Sequence, residues 1–194
     1  MHKRRFLQAV ACAAPLATAL PHAQAAKPAA PAPVLLTVTG QVSKPNRGPL
    51  DKVVDQMMGK HGVAFDKART LTFADVLALP ATEIRPTLEY DGQRHTLRGP
   101  LLTRVLEAAG APTADTLRVG MRAVDGYNAE LSLGELRRLG FIVATHLDGQ
   151  PMALGGLGPL WAVYEPDRFP ELASKPLPER YAACPWGVYA IHVG

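Results

Sequence analysis

The feature that most constrains the fold is the way Gly and Pro divide residues 34–194 into short segments of changing type. Alternating apolar patterns typical of strands and 3.6-residue patterns typical of helices follow one another without a fixed order. A regular strand–helix–strand succession would indicate a parallel sheet with crossover helices, and this chain lacks that succession. The sequence therefore predicts an α+β domain with mixed or largely antiparallel sheets and short helices.

Strands are predicted where β-branched or alternating apolar residues cluster. Their ranges are 34–42, 117–123, 141–147, 160–164 and 188–193. A hairpin is predicted across Asp91 and Gly92, because both residues tolerate the positive φ of a two-residue turn. Its arms are 83–90 and 93–99, and Pro86 places the first arm at a sheet edge.

Helices are predicted from their boundary residues. One follows Thr72 and ends at Pro80, one spans 100–109 with Pro100 in its first turn, and one follows Ser132 and ends near Gly140. Residues 52–58 are ambiguous and compatible with a further short helix. The Pro-rich stretch 168–185 is predicted to be an irregular surface excursion.

The N-terminus reads as a secretory signal peptide over residues 1–25. A basic stretch at 2–5 precedes an apolar run at 6–20, and Ala23-Gln24-Ala25 is a small-x-small site, which predicts cleavage after Ala25. We therefore expect a periplasmic or secreted protein. The export route stays open between the general secretory and twin-arginine systems. Residues 26–33 are predicted to be an Ala/Pro tether, and the domain is predicted to span 34–194.

Removal of the signal changes the charge and cysteine counts. The chain has 21 Lys and Arg against 17 Asp and Glu, and the signal carries three of the basic residues, so 18 against 17 remain. A net charge of about +1 does not indicate nucleic-acid or anionic-membrane binding. Cys12 leaves with the signal, so Cys184 has no partner for an internal disulfide. No later apolar run has the length of a membrane span.

Common catalytic motifs are absent from the sequence. It contains no nucleophile-elbow serine, no HExxH and no paired cysteines for zinc. The glycine-rich loop at 155–158 does not match a phosphate-binding loop, and Pro159 removes a backbone donor there. The histidines of the domain lack helical metal-ligand spacing. The sequence supports no metal site, and the catalytic residues, if any, remain unidentified.

Several ordered blocks of sequence carry a family resemblance. They lie at 36–42, 71–80, 97–102, 105–111, 125–127, 148–152 and 158–160. Together they resemble the molybdopterin-binding domain of the sulfite oxidase type, over about residues 35–194. The resemblance implies a single domain of that fold with a pterin cleft, and molybdopterin as a possible cofactor. In catalytic members a cysteine thiolate binds molybdenum, which performs oxygen-atom transfer or reduction.

Two departures from that family pattern concern its catalytic residues. The ligating cysteine is expected in the stretch 87–99, which contains none, and Cys184 does not match its position. An Arg is expected just after the Gly-x-Pro block to pair with the cofactor phosphate, and Trp161 stands there instead. Because a soft metal prefers a thiolate ligand, these changes disfavour ordinary molybdenum catalysis.

Seven residues are candidates for binding a cofactor or ligand. They are Arg94, His95, Arg98, Asp125, Tyr127, Gly158 and Trp161. The three basic residues, near the Asp91-Gly92 turn, could meet an anion, or form a solvated strand face. Asp125 and Tyr127 could orient a ligand, or only shape a turn. Trp161 and Trp186 could line an apolar pocket, or belong to the core.

Three functions remain open from the sequence. The first is a divergent or noncatalytic module that binds a small anionic or heterocyclic ligand, or an envelope partner protein, on the sulfite oxidase scaffold. The second is a molybdopterin-dependent oxidoreductase with unusual metal ligation. The third is a structural interaction domain that makes its contacts through 166–185.

Overall fold

Eleven strands and six short α-helices alternate irregularly in the computed structural model, which describes residues 32–194. The strands are β1 Val34–Gly40, β2 Arg69–Thr72, β3 Ala81–Ile84, β4 Leu97–Pro100, β5 Arg118–Ala123, β6 Asn128–Ser132, β7 Ile142–Ala144, β8 His146–Leu147, β9 Gln150–Pro151, β10 Trp161–Val163 and β11 Val188–Val193. The helices are α1 Gln56–Lys60, α2 Phe73–Leu77, α3 Leu102–Ala109, α4 Leu133–Leu139, α5 Pro170–Ala173 and α6 Leu177–Arg180. The predicted signal peptide and most of the tether lie outside the described residues.

The largest sheet has the strand order β2-β1-β11-β5-β6. Its centre is a parallel pair, in which Thr37 of β1 lies opposite Ala190 of β11, while the other neighbours are antiparallel. Leu36, Val38 and Ile191 are fully buried and belong to the main core. The sheet is therefore mixed, and the predicted α+β class is confirmed.

Two smaller sheets divide the predicted strand 141–147. β7 pairs with β10, whereas β8 lies in a four-stranded sheet of order β3-β4-β8-β9. Thr145 lies between β7 and β8, and its backbone N–H and hydroxyl both donate to the carbonyl oxygen of Arg98 in β4. The chain changes its partner strand at Thr145, which is why one apolar run forms two strands.

The helix boundaries follow the signals in the sequence. Thr72 and Asp75 form a capping box at α2, and Ser132 and Glu135 form another at α4. The residue after α3 is Gly110, which adopts a left-handed φ of 71°. Local signals thus predicted the starts of α2 and α4 after Thr72 and Ser132 and the end of α3.

Several boundaries differ from the prediction. The hairpin arms expected at 83–90 and 93–99 are instead β3 Ala81–Ile84 and β4 Leu97–Pro100, with a longer connection between them. Pro100 pairs with Ala81 at the end of β4, so the helix begins two residues later at Leu102. The short helix expected at 52–58 lies instead at 56–60. The stretch 166–180 is not wholly irregular, because a 3₁₀ turn, α5 and α6 each place a proline in the first turn, where its missing N–H is tolerated.

No helix within residues 32–194 combines the length and the apolar character that crossing a membrane requires.

Candidate functional site

A small cleft forms where three distant segments of the chain meet. The segments are the β5–β6 turn, the β3–β4 connection and the stretch that precedes β11. The cleft has a volume of about 160 Å³ and is lined by Glu89, Tyr90, Ala123, Asp125, Tyr127, Tyr181, Cys184, Pro185 and Trp186. We call it the Tyr90–Trp186 cleft.

The β5–β6 turn holds two sequence-predicted residues in this cleft. Asp125 Oδ1 accepts a hydrogen bond of 2.9 Å from the backbone N–H of Tyr127, and Gly126 has a φ of 93°. The hydroxyl of Tyr127 donates to the carbonyl oxygen of Ala182 and so ties the turn to the segment before β11. Asp125 and Tyr127 therefore combine turn chemistry with a place in the cleft wall.

The β3–β4 connection supplies Glu89 and Tyr90. Both residues lie within a tight turn closed by hydrogen bonds of 2.9 Å from Leu88 N–H to Gln93 oxygen and 3.0 Å from Gly92 N–H to Leu88 oxygen. Tyr90 is 57% exposed, yet burial and then the charge of Glu89 raise the pKa of its phenol to about 12. Tyr90 is therefore a neutral hydroxyl at neutral pH.

Cys184 forms an inner wall of the same cleft. Its side chain is buried, and desolvation raises the pKa of the thiol far above its usual value. Its carbonyl oxygen accepts a hydrogen bond of 3.0 Å from the indole N–H of Trp161. The sulfur is therefore a neutral packed thiol and does not present a thiolate to the cleft.

Two of the residues predicted to bind an anion, Arg94 and Arg98, have other neighbours. Arg94 donates from Nε to the carbonyl oxygen of Arg85 at 3.2 Å and lies 3.4 Å from Glu165. Arg98 is exposed on β4, opposite Glu83 of β3. Neither residue lines the Tyr90–Trp186 cleft. The structure therefore does not assemble the predicted cationic cluster at this site.

The comparisons with known proteins concern the fold. No protein-family model matches this chain, and no curated protein matches it. Among solved structures, it is similar to the sulfane dehydrogenase SoxCD from Paracoccus pantotrophus, with a TM-score of 0.52 and 14% sequence identity. The two share a fold. The match covers 81% of this chain and 37% of the SoxCD chain, so the similarity spans just over a third of that structure.

The residues present do not fit a molybdenum cofactor. The stretch 87–99 brings Glu89 and Tyr90 to the cleft but no sulfur, and Cys184 is a buried neutral thiol. Within the described part of the chain, no group of three or more His, Cys, Asp or Glu side chains is arranged to hold a metal. The cleft lining has two carboxylates and no Lys or Arg to meet a cofactor phosphate.

Trp161 and Gly158 are buried and do not line the cleft. Trp161 is only 1% exposed, and its ring centroid lies 6.0 Å from that of Tyr181. A Cβ added to Gly158 would come within 2.5 Å of the backbone oxygen of Met152. Both residues are therefore buried, and the tryptophan that lines the cleft is Trp186.

His95 is held between two carboxylates outside the cleft. Its Nδ1 lies 2.6 Å from Asp148, and its Nε2 lies 2.8 Å from Asp91. These bonds, that to Asp148 first, raise the pKa of His95 above 6.5. The pKa of Asp148 is lowered mainly by His95, and that of Asp91 by the Gln93 N–H and then by His95. The cluster joins the Asp91-Gly92 turn to the Asp148-Gly149 turn.

This cluster predicts a pH-dependent contribution to stability. Because the folded-state pKa of His95 is raised, its contribution is fully present below about pH 6.5 and is lost as the pH rises through the folded pKa. We expect the melting temperature of wild type to exceed that of His95→Gln at about pH 5.5, and the difference to shrink towards pH 9. The measurement is thermal unfolding by circular dichroism across that range.

His192→Gln is the matched control, since the Nδ1 of this exposed strand histidine lies beside the hydroxyl of Thr39 rather than a carboxylate. A wild-type advantage over His95→Gln that grows with rising pH would contradict the assignment.

A second, larger cavity of about 330 Å³ lies against the five-stranded sheet. It is lined by Thr39, Gly62, Val63, Ala64, Gly120, Arg122, Asn128, Glu130, Ala190, Ile191 and His192. None of the seven candidate residues lines it. The Tyr90–Trp186 cleft is smaller, but two of the seven candidates, Asp125 and Tyr127, line it.

Proposed function

We propose that this chain is an exported, noncatalytic ligand-binding module, and that it binds a small molecule in the Tyr90–Trp186 cleft. The observation that carries the proposal is the meeting of Asp125 and Tyr127 with Glu89 and Tyr90 from the stretch 87–99. The cleft has polar and aromatic groups, which recognise ligands, but no exposed thiolate. The chain shares its fold with part of a dehydrogenase. This supports the view that the scaffold originated as a binding site for small molecules.

Binding in this cleft would use residues that already hold their positions. The Tyr127 hydroxyl is bonded to the Ala182 oxygen, and Trp186 forms an isolated bridge with Trp161 through the backbone. The side chains of Tyr90, Tyr127 and Trp186 remain 57%, 49% and 38% exposed. A ligand that covers them removes apolar surface from water while the protein loses little conformational freedom.

A molybdopterin oxidoreductase is the alternative that the family resemblance keeps open. We would express the full chain, with its own N-terminus, in a molybdenum-replete host and measure molybdenum, pterin and bound small molecules in the purified folded protein. Intact mass would test cleavage after Ala25. We expect a co-purified small molecule in wild type, no stoichiometric molybdenum, and loss of that molecule in Trp186→Leu. Near-stoichiometric molybdenum with pterin would overturn the noncatalytic proposal.

A structural interaction domain would give a different result in the same experiment. It would carry no small molecule and would form a stable complex with an envelope protein through 166–185. That combination would also contradict the proposed ligand-binding function.

A further inference from the structure

The charged groups of the Tyr90–Trp186 cleft all have the same sign. Glu89 and Asp125 line it, and no Lys, Arg or His does. Neither carboxylate takes part in any of the ion pairs formed within residues 32–194. Glu89 also lies close enough to raise the pKa of both Tyr90 and Cys184. The cleft is therefore a site of negative potential, unsuited to an anionic ligand.

Aromatic residues make up much of the remaining lining. Tyr90, Tyr127 and Trp186 are all substantially exposed there, and Tyr181 is buried beside them. Tyr90 and Tyr181 stay neutral, since burial raises the pKa of both phenols. Aromatic faces attract cations electrostatically, and Trp and Tyr are the side chains best suited to this role.

We propose that the Tyr90–Trp186 cleft binds a small organic cation of the alkylated ammonium class. This inference rests on the ligand-binding function proposed above and specifies the chemistry of its ligand. The carboxylates of Glu89 and Asp125 balance the positive charge of the ammonium group, and the aromatic side chains contact its alkyl groups. The volume of 160 Å³ suits a head group of few atoms, because drug-sized ligands occupy roughly 300 Å³ or more.

A hard metal cation fits this cleft less well. Calcium takes about 6–8 oxygen ligands, whereas the cleft offers two carboxylates among apolar rings. Alkylated ammonium groups need no such coordination shell and are recognised by aromatic cages. The neutral phenols and the two carboxylates therefore favour an organic cation over a metal ion.

Binding of choline, compared with its neutral isostere 3,3-dimethylbutan-1-ol, tests the charge requirement. Isothermal titration calorimetry of the mature protein is the measurement. We expect choline to bind at least about tenfold more tightly than the isostere, since only the cation gains from the carboxylates and the aromatic faces. Equal affinity for the two compounds, or no binding of choline, would overturn the proposal.

Single-residue variants test whether choline binds in the cleft. We expect Glu89→Gln and Trp186→Leu each to weaken choline binding by about tenfold, and Trp186→Phe to restore much of the loss. Glu83→Gln is the matched control, because Glu83 is an exposed glutamate that does not line the cleft. Choline affinity that is unchanged in folded Glu89→Gln and Trp186→Leu would place the binding elsewhere and reject the site. Circular dichroism checks folding.

The failure of this inference is distinguishable from failure of the proposed function. If a co-purified molecule is lost in Trp186→Leu but choline does not displace it from wild type, ligand binding in the cleft stands and the cation class is wrong. If no molecule co-purifies and choline does not bind, both proposals fail.

Discussion

Gly99→Ala is expected to destabilise the domain by about 3 kcal/mol, at the upper end of the usual cost of overpacking. A Cβ at Gly99 would lie 1.9 Å from the backbone oxygen of Val143 and 2.7 Å from its carbonyl carbon. Gly99 lies in β4 and Val143 in β7, and both backbones are held by their own strand partners. Neither can move aside without breaking sheet hydrogen bonds, so the added methyl group cannot be accommodated locally.

Urea denaturation followed by circular dichroism measures this effect. Gly48→Ala is the control, because no atom lies within 4 Å of a Cβ at that position and its φ is not in the left-handed region. We expect the control to change the free energy of unfolding by less than about 0.5 kcal/mol. If Gly99→Ala unfolds at the same urea concentration as Gly48→Ala, the result contradicts the close approach between the backbones of β4 and β7 at Gly99 and Val143.

Trp161→Ala is expected to lower the free energy of unfolding by about 3–5 kcal/mol, the range of large-to-small aromatic substitutions in cores. Trp161 is 1% exposed and is among the largest fully buried side chains. The substitution also leaves the Cys184 carbonyl oxygen without the indole N–H that donates to it. A cavity and an unsatisfied acceptor would then lie directly behind the Tyr90–Trp186 cleft.

Trp186→Ala provides the comparison within the same chain. Its side chain is 38% exposed at the cleft, so we expect a loss of stability of about 1 kcal/mol or less, together with weakened ligand binding. Urea denaturation measures stability, and calorimetry with choline measures binding. Equal loss of stability in the two variants would contradict the division into one structural and one ligand-binding tryptophan.

That division was not predictable from local sequence. Trp161 lies within the predicted strand 160–164 and Trp186 lies just before the predicted strand 188–193, and sequence alone offered a pocket or a core position for each. Their backbones even form a bridge with each other. The difference arises because β10 is covered on both faces, with Trp161, Ala162 and Val163 all buried, whereas Trp186 precedes β11 and borders the cleft. Burial of this kind depends on neighbours distant in the chain.

The residues of the candidate site could likewise be predicted only in part from the sequence. Asp125 and Tyr127 were predicted as candidates from the sequence. Glu89 and Tyr90, which line the same cleft, were not, although they lie in the stretch where a molybdenum-ligating cysteine was expected. Arg94, His95 and Arg98 lie near them in sequence yet outside the cleft. Arg94 and His95 find partners in Glu165 and Asp148, on other elements.

The sequence by itself determined the α+β class, most strand positions and the helix starts at Thr72 and Ser132, because these depend on interactions between residues a few positions apart. The tertiary structure alone decided the change of strand partner at Thr145, the burial of Trp161 and the meeting of Glu89, Asp125 and Trp186. These features require contacts between segments that are far apart in the chain, where the packing of the sheets, rather than local propensity, sets which side chains share a site.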